Sequence, residues 1–168
     1  MDIENRLIQG NKKYMSNSSI SEVRTSLVDG QHPFALIITC SDSRVVPEQI
    51  FDCSLGELFV IRTAGNVINE GELATVEYAI EHLHVKYVLI LAHTHCGAVH
   101  AAIEDEKGQY LSPILDNIKS AINGERNERL ASMKNATKQS MYLKEKFPHY
   151  DGQIKTALYD IESGEVIF

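Results

Sequence analysis

Three short segments, residues 34–40, 58–64 and 87–93, are almost uninterruptedly apolar and rich in β-branched side chains. A strand with one wet face alternates apolar and polar residues. A near-continuous run instead needs cover on both faces, the situation of strands inside a parallel sheet. Residues 154–161 read as a fourth strand, and segments of helical periodicity lie between the strands. The clearest covers residues 72–84, where Leu73, Val76, Ala79, Ile80 and Leu83 recur at helical spacing and make one core stripe. Tyr78 lies about half a turn from that stripe and faces away from it. Strands alternating with helices predict a single α/β domain over residues 1–168, with a mostly parallel central sheet flanked by helices.

Two further helices are expected. One covers residues 3–15. The other follows Asn127, which can cap it, and stops before Pro148; Leu130, Met133, Ala136, Leu143 and Phe147 supply its apolar face. The Ser-rich stretch after Met15 reads as a loop, as do residues 104–112, which are charged and contain Gly108. No internal repeat or low-complexity block interrupts the chain.

Charge and apolar run length exclude two classes of partner. Sixteen Lys and Arg stand against 23 Asp and Glu, a net charge of −7, so the chain lacks the basic excess that sequence-independent nucleic-acid binding requires. The longest uninterrupted apolar run, residues 87–92, falls far short of the roughly 20 residues of a membrane span. The opening residues Met1-Asp2-Ile3-Glu4-Asn5-Arg6 have neither the basic nor the apolar stretch of a secretory signal, and the expectation is a cytoplasmic chain. The three cysteines, Cys40, Cys53 and Cys96, are an odd number and do not read as a disulfide framework. They are then packing, nucleophiles or metal ligands.

Reactive residues crowd immediately after two of the buried strands. Cys40-Ser41-Asp42-Ser43-Arg44 closes the first strand, and His93-Thr94-His95-Cys96-Gly97 closes the third. Ligands of open parallel sheets bind outside the carboxyl ends of the strands, so the two clusters can converge although distant in sequence. Cys40, His93 and Cys96 then make a zinc set of two thiolates and one imidazole. Three protein ligands leave the fourth tetrahedral position open, the arrangement of catalytic rather than structural zinc. His95 competes with His93 as ligand; beside Cys96 in a turn it points elsewhere, so His93 is favoured. Cys53 is an ordinary half-buried thiol. Asp42 is costly to bury unpaired, and Arg44 offers it a bidentate partner. That pair is either a salt bridge holding a loop or a carboxylate kept off the metal and free to orient the nucleophilic water.

The segments Cys40 to Arg44 and His93 to Ala98 (CSDSR and HTHCGA) resemble the β-class carbonic anhydrases. The resemblance extends through Gly30 to Pro33, Gly56 to Arg62, Ala64-Gly65-Asn66 and Glu77-Tyr78-Ala79, and resumes at Tyr159-Asp160-Ile161 and Gly164. It implies one Zn2+ per chain on Cys40, His93 and Cys96, with Asp42 and Arg44 as a catalytic dyad. It also implies reversible hydration of CO2 to bicarbonate and a proton by attack of zinc-bound hydroxide. Gln31, Phe59 and Tyr78 fall at substrate-pocket positions, the two aromatics contributed at least in part by a neighbouring subunit, and Gln31 with the Gly97 backbone is expected to hold the CO2 or bicarbonate oxygens. The family forms homodimers or dimers of dimers, with the N-terminal helix packed on the partner. COS or CS2 hydrolysis on the same site, or a non-catalytic zinc-binding oligomeric module, are the alternative readings. His95 and His100 are candidate proton shuttles. The chain departs from the family pattern in three ways: it is shorter than most members, Ala92 precedes the ligand histidine in place of glycine, and there is no Trp. The last departure rules out a complete aromatic-flanked regulatory bicarbonate pocket.

Overall fold

The computed structural model describes residues 2–168. Four parallel strands form the sheet: β1 (Ala35–Cys40), β2 (Leu58–Thr63), β3 (Tyr87–His93) and β4 (Gln153–Tyr159). The two-residue β5 (Val166–Ile167) adds antiparallel to β4, giving the order β2-β1-β3-β4-β5. The expected mostly parallel α/β architecture is therefore what the chain adopts. β1 is buried at every position and β3 at all but its first, as their continuous apolar runs require. The predicted fourth strand ends early, because the chain turns at Asp160 to bring β5 back; Ser163-Gly164, with Gly164 at φ 79°, was the available signal.

Each face of the sheet buries its own alternate residues. Leu36, Ile38, Val88 and Ile90 pack with Val76 of the helix α4 (Glu70–Glu77), with Ala79 just beyond it, and with Ala136 and Leu143 of α7 (Glu128–Lys146). Ala35, Ile37, Leu89 and Leu91 pack instead with Val45 and with the half-buried Ile50, Phe51 and Tyr159. At the carboxyl end of the strands a third cluster joins Cys40 and Cys96 to Val99, Leu115, Ile118 and Ile122. It is built by the short helix α5 (Gly97–Ile103) and by α6 (Ser112–Ile122). Each fully buried Leu or Ile contributes about 1.5–3 kcal/mol, so Leu115 and Ile118 help fix the surroundings of Cys40 and Cys96.

Capping explains the helix boundaries. Asn127 accepts a hydrogen bond from the Leu130 N–H at 3.0 Å, and α7 ends just before Phe147-Pro148. Asn69 and Glu72 form a capping box that starts α4 two residues earlier than its apolar stripe suggests. That helix then loosens into a π turn over Tyr78–His82, and His84 takes a left-handed conformation (φ 55°) that ends it.

Two expectations fail. The Ser-rich stretch is not a loop but α2 (Ser18–Ser26), started by Asn17, whose side chain accepts from the Ile20 N–H. The predicted stripe of α7 holds at Ala136 and Leu143, which are buried, and at Met133 and Phe147, which pack against the same core, but fails at Leu130. Leu130 is 53% exposed, whereas Ser132, Asn135, Gln139 and Ser140 are buried beside Ala131, Ala136 and Leu143. Asn135 and Gln139 are buried because their amide groups find partners across the layer. The predicted helix at 3–15 forms as α1 (Ile3–Met15), capped by Asp2, but buries none of its residues; Ile3, Leu7 and Met15 stand exposed.

Candidate metal centre

Parallel strands end at the same edge of a sheet, so β1 and β3 deliver Cys40 and His93 side by side. Cys96 follows one tight turn later, at the cap of α5. Their three ligating atoms lie within 4.8 Å of one another, all three residues buried. The Cys40 and Cys96 sulfurs are 3.9 Å apart; two sulfurs on one tetrahedral zinc at ~2.3 Å each would be about 3.8 Å apart. His93 Nδ1 is 2.8 Å from the Thr94 carbonyl oxygen. A carbonyl only accepts, so Nδ1 carries the proton and Nε2 holds a free lone pair. That Nε2 is buried with no hydrogen-bond partner. A buried acceptor without a partner is costly, and a metal ion between it and the two sulfurs removes the cost. The residues present thus fit a zinc-type ion.

The two thiols act on each other through their sulfurs: the Cys96 side chain lowers the Cys40 pKa, and the Cys40 side chain together with burial raises that of Cys96. The Gly65 N–H also donates to Cys40 Sγ, at 3.3 Å.

Asp42 lies beside this cluster but is held out of it. Oδ1 accepts from the Arg44 backbone N–H and from Arg44 Nε, both at 2.9 Å, and Oδ2 accepts from Arg44 Nη2 at 2.7 Å. Arg44 Nη2 also reaches the His95 carbonyl at 3.0 Å, tying the two segments together. The guanidinium holds the Asp42 carboxyl far below the usual carboxylate range. The expected bidentate pair is present. His95, left-handed at φ 55°, turns its ring outward to Glu162 at 2.8 Å and leaves the ligand position to His93. Cys53 is half-buried and donates to the Phe51 carbonyl, away from the cluster.

The remaining predicted pocket residues divide. Gly97 begins α5 immediately after Cys96. Phe59 instead pairs with Leu36 near the start of β1, four residues or about 13 Å along the strand from Cys40. Tyr78 stacks on His82 at 5.2 Å and lies 6.1 Å from Phe59. Gln31 is exposed on the segment entering β1. These three therefore gather toward the amino end of the sheet, away from their own chain's ligands.

Several supporting residues escaped the sequence reading. Arg62 Nε donates to the Cys40 carbonyl at 3.2 Å, and its Nη2 to the Asp42 carbonyl at 2.7 Å; a charged residue ending an apolar strand was the available signal. Thr94 Oγ accepts from the Ile161 N–H at 3.0 Å, pinning the chain after β4 to the His93 segment.

Residues 35–166 match the family model described as carbonic anhydrase. The structure of the β-carbonic anhydrase CcaA superposes with a TM-score of 0.84 at 32% identity, covering 98% of this chain and 94% of that one. The β-carbonic anhydrase CafA of Aspergillus fumigatus gives a TM-score of 0.80 at 29% identity, over 98% and 89%. The fold is that of the β class. The chain belongs to the carbonic anhydrase family. Carbonic anhydrase 2 of Mycobacterium tuberculosis is 43% identical over 102 residues, 58% of this chain and 49% of that protein. The chain spans about half the length of the curated relatives it matches.

Proposed function

We propose that the chain catalyses the reversible hydration of CO2 to bicarbonate, with Cys40, His93 and Cys96 holding one Zn2+. Two thiolates and an imidazole are a donor set suited to zinc. When bound, the ion supplies a Lewis acid that makes water nucleophilic near neutral pH. The observation that carries this reading is the orphaned His93 Nε2 beside two sulfurs 3.9 Å apart. Asp42 accepts a hydrogen bond from the attacking water and orients it. Arg44 keeps that carboxylate from becoming a fourth ligand and quenching the site. The Gly97 backbone N–H is placed to hold an oxygen of CO2 or bicarbonate.

Gln31, Phe59 and Tyr78 act on the site of a second copy of the chain, closing its pocket with apolar surface and an amide. Their place at the opposite end of the sheet from Cys40 supports that assignment, as does Tyr78, 46% exposed. The bare apolar side of α1 supports a partner as well, and we place α1 on it.

The Asp42→Ala variant tests the catalytic role. It should lose most CO2 hydration while still binding one zinc per chain. Turnover at the wild-type level in that variant would return Asp42 and Arg44 to a salt bridge holding a loop.

A further inference from the structure

The polar stripe of α7 is too fully buried to be solvated surface. Asn135 is 0% and Gln139 1% exposed, and both spend their amide groups on the turn between β2 and α4. Asn135 Nδ2 donates to the Gly65 carbonyl at 2.7 Å. Gln139 Nε2 donates to Asn135 Oδ1 at 3.2 Å and to Asn117 Oδ1 at 3.0 Å, which sets the Asn135 amide with its nitrogen toward Gly65. Gln139 Oε1 accepts from the Ile68 N–H at 3.0 Å, gripping the far side of the same turn. Gly65 is thus held by its carbonyl, and its own N–H donates to Cys40 Sγ at 3.3 Å.

We propose that Asn135, set by Gln139, is a positioning residue for the metal centre: it holds Gly65 so that the Gly65 N–H stays on the Cys40 sulfur. An N–H bond to a thiolate draws charge from the sulfur and fixes its direction. Outer groups of this kind set both the affinity of a metal site and the electronic character of its ligands. The network reaches Cys40 from a helix on the flank of the sheet, through one glycine, with no contact between α7 and the substrate pocket invoked.

The proposal rests on the metal-centre reading above, and the experiment separates the two. Wild type, Asn135→Leu and Ser132→Ala are titrated with Co2+ and Zn2+ against a chromogenic chelator, and the thiolate-to-cobalt charge-transfer band is recorded. Leucine keeps the branch at Cγ, though with more bulk, and cannot donate to Gly65. Ser132 lies on the same buried face with its hydroxyl unpartnered, and so serves as the control. The Asn135→Leu variant should bind about 10–100-fold more weakly, with its band moved to longer wavelength as Cys40 loses the N–H bond. Ser132→Ala should match wild type in both. Wild-type affinity and band position in Asn135→Leu, or an equal shift in Ser132→Ala, would overturn the positioning role. Should Asn135→Leu not accumulate as folded protein, Gln139→Leu carries the same test, with a several-fold loss and a red shift expected and an unshifted band refuting it. Failure of the wild-type chain to bind either ion would instead refute the metal-centre reading itself.

Discussion

Replacing Gly65 by alanine probes the joint between fold and site with a cost that can be worked out beforehand. Gly65 adopts φ 63°, and a Cβ built there meets Ile118 Cδ1 at 2.8 Å and Ala98 Cβ at 3.1 Å. The left-handed backbone costs an alanine about 1–2 kcal/mol. Overpacking a buried site costs about 1–3 kcal/mol more, since Ile118 is fully buried and Ala98 belongs to the helix that follows Cys96. The smaller entropy of the unfolded chain returns ~0.4–1 kcal/mol. The net is a loss of about 1–4.5 kcal/mol, or roughly 2–18 °C in Tm for a chain of this size. Thermal and urea unfolding measure it. The clash has a specific remedy, because Ile118→Val removes the Cδ1 that the new methyl meets. In a double-mutant cycle the valine should therefore recover at least about 1 kcal/mol of the Gly65→Ala loss while costing ~0.5–1.5 kcal/mol alone. The left-handed strain remains unrelieved. A Gly65→Ala protein that melts with wild type, or a cycle with no coupling, would refute the packing described around the turn.

Two further predictions concern charge and assembly. His100 Nδ1 and Glu128 Oε1 are 2.7 Å apart, and Glu128 first, with Glu104 and Glu106, raises the His100 pKa. A raised folded pKa gives stability that is fully present below the unfolded imidazole value and lost as pH climbs through the folded one. The urea midpoint of wild type should thus exceed that of Glu128→Gln at about pH 6, with the gap closing by about pH 9; a gap that widens toward alkaline pH would contradict the pairing. If each pocket joins the ligands of one chain to Tyr78 of the partner subunit, inactive Cys40→Ala and Tyr78→Ala chains refolded together should recover about a quarter of wild-type activity through hybrid dimers. No recovery would place the whole pocket within one chain.

The fold was legible where one physical demand acted alone. β1 and β3 had to be covered on both faces, and their runs said so; Asn127 and Pro148 marked the ends of α7 by cap chemistry. The convergence of Cys40, His93 and Cys96 followed from a parallel sheet ending its strands on one edge. Illegible were the elements whose burial is decided by distant partners. Asn135 and Gln139 look like solvent-facing residues until the turn at Gly65 supplies acceptors and donors for them. Leu130 looks like core until the helix is rotated to bury those amides. The α2 segment, poor in strong helix formers, is held by its Asn17 cap. Tyr78 was read as turned from the stripe of its own helix, but only strand register places Phe59, with Tyr78 beside it, at the end of the sheet away from Cys40.

The central claim is that two sulfurs and His93 Nε2 hold one ion with a corner left open to water. Zinc content per chain, measured together with stopped-flow CO2 hydration before and after chelation and with COS hydrolysis alongside, tests it most directly. One zinc per chain, with CO2 hydration that disappears on chelation and returns on adding zinc, is the predicted result. Hydration that survives complete removal of metal, or a zinc-loaded protein inert toward CO2, would contradict it.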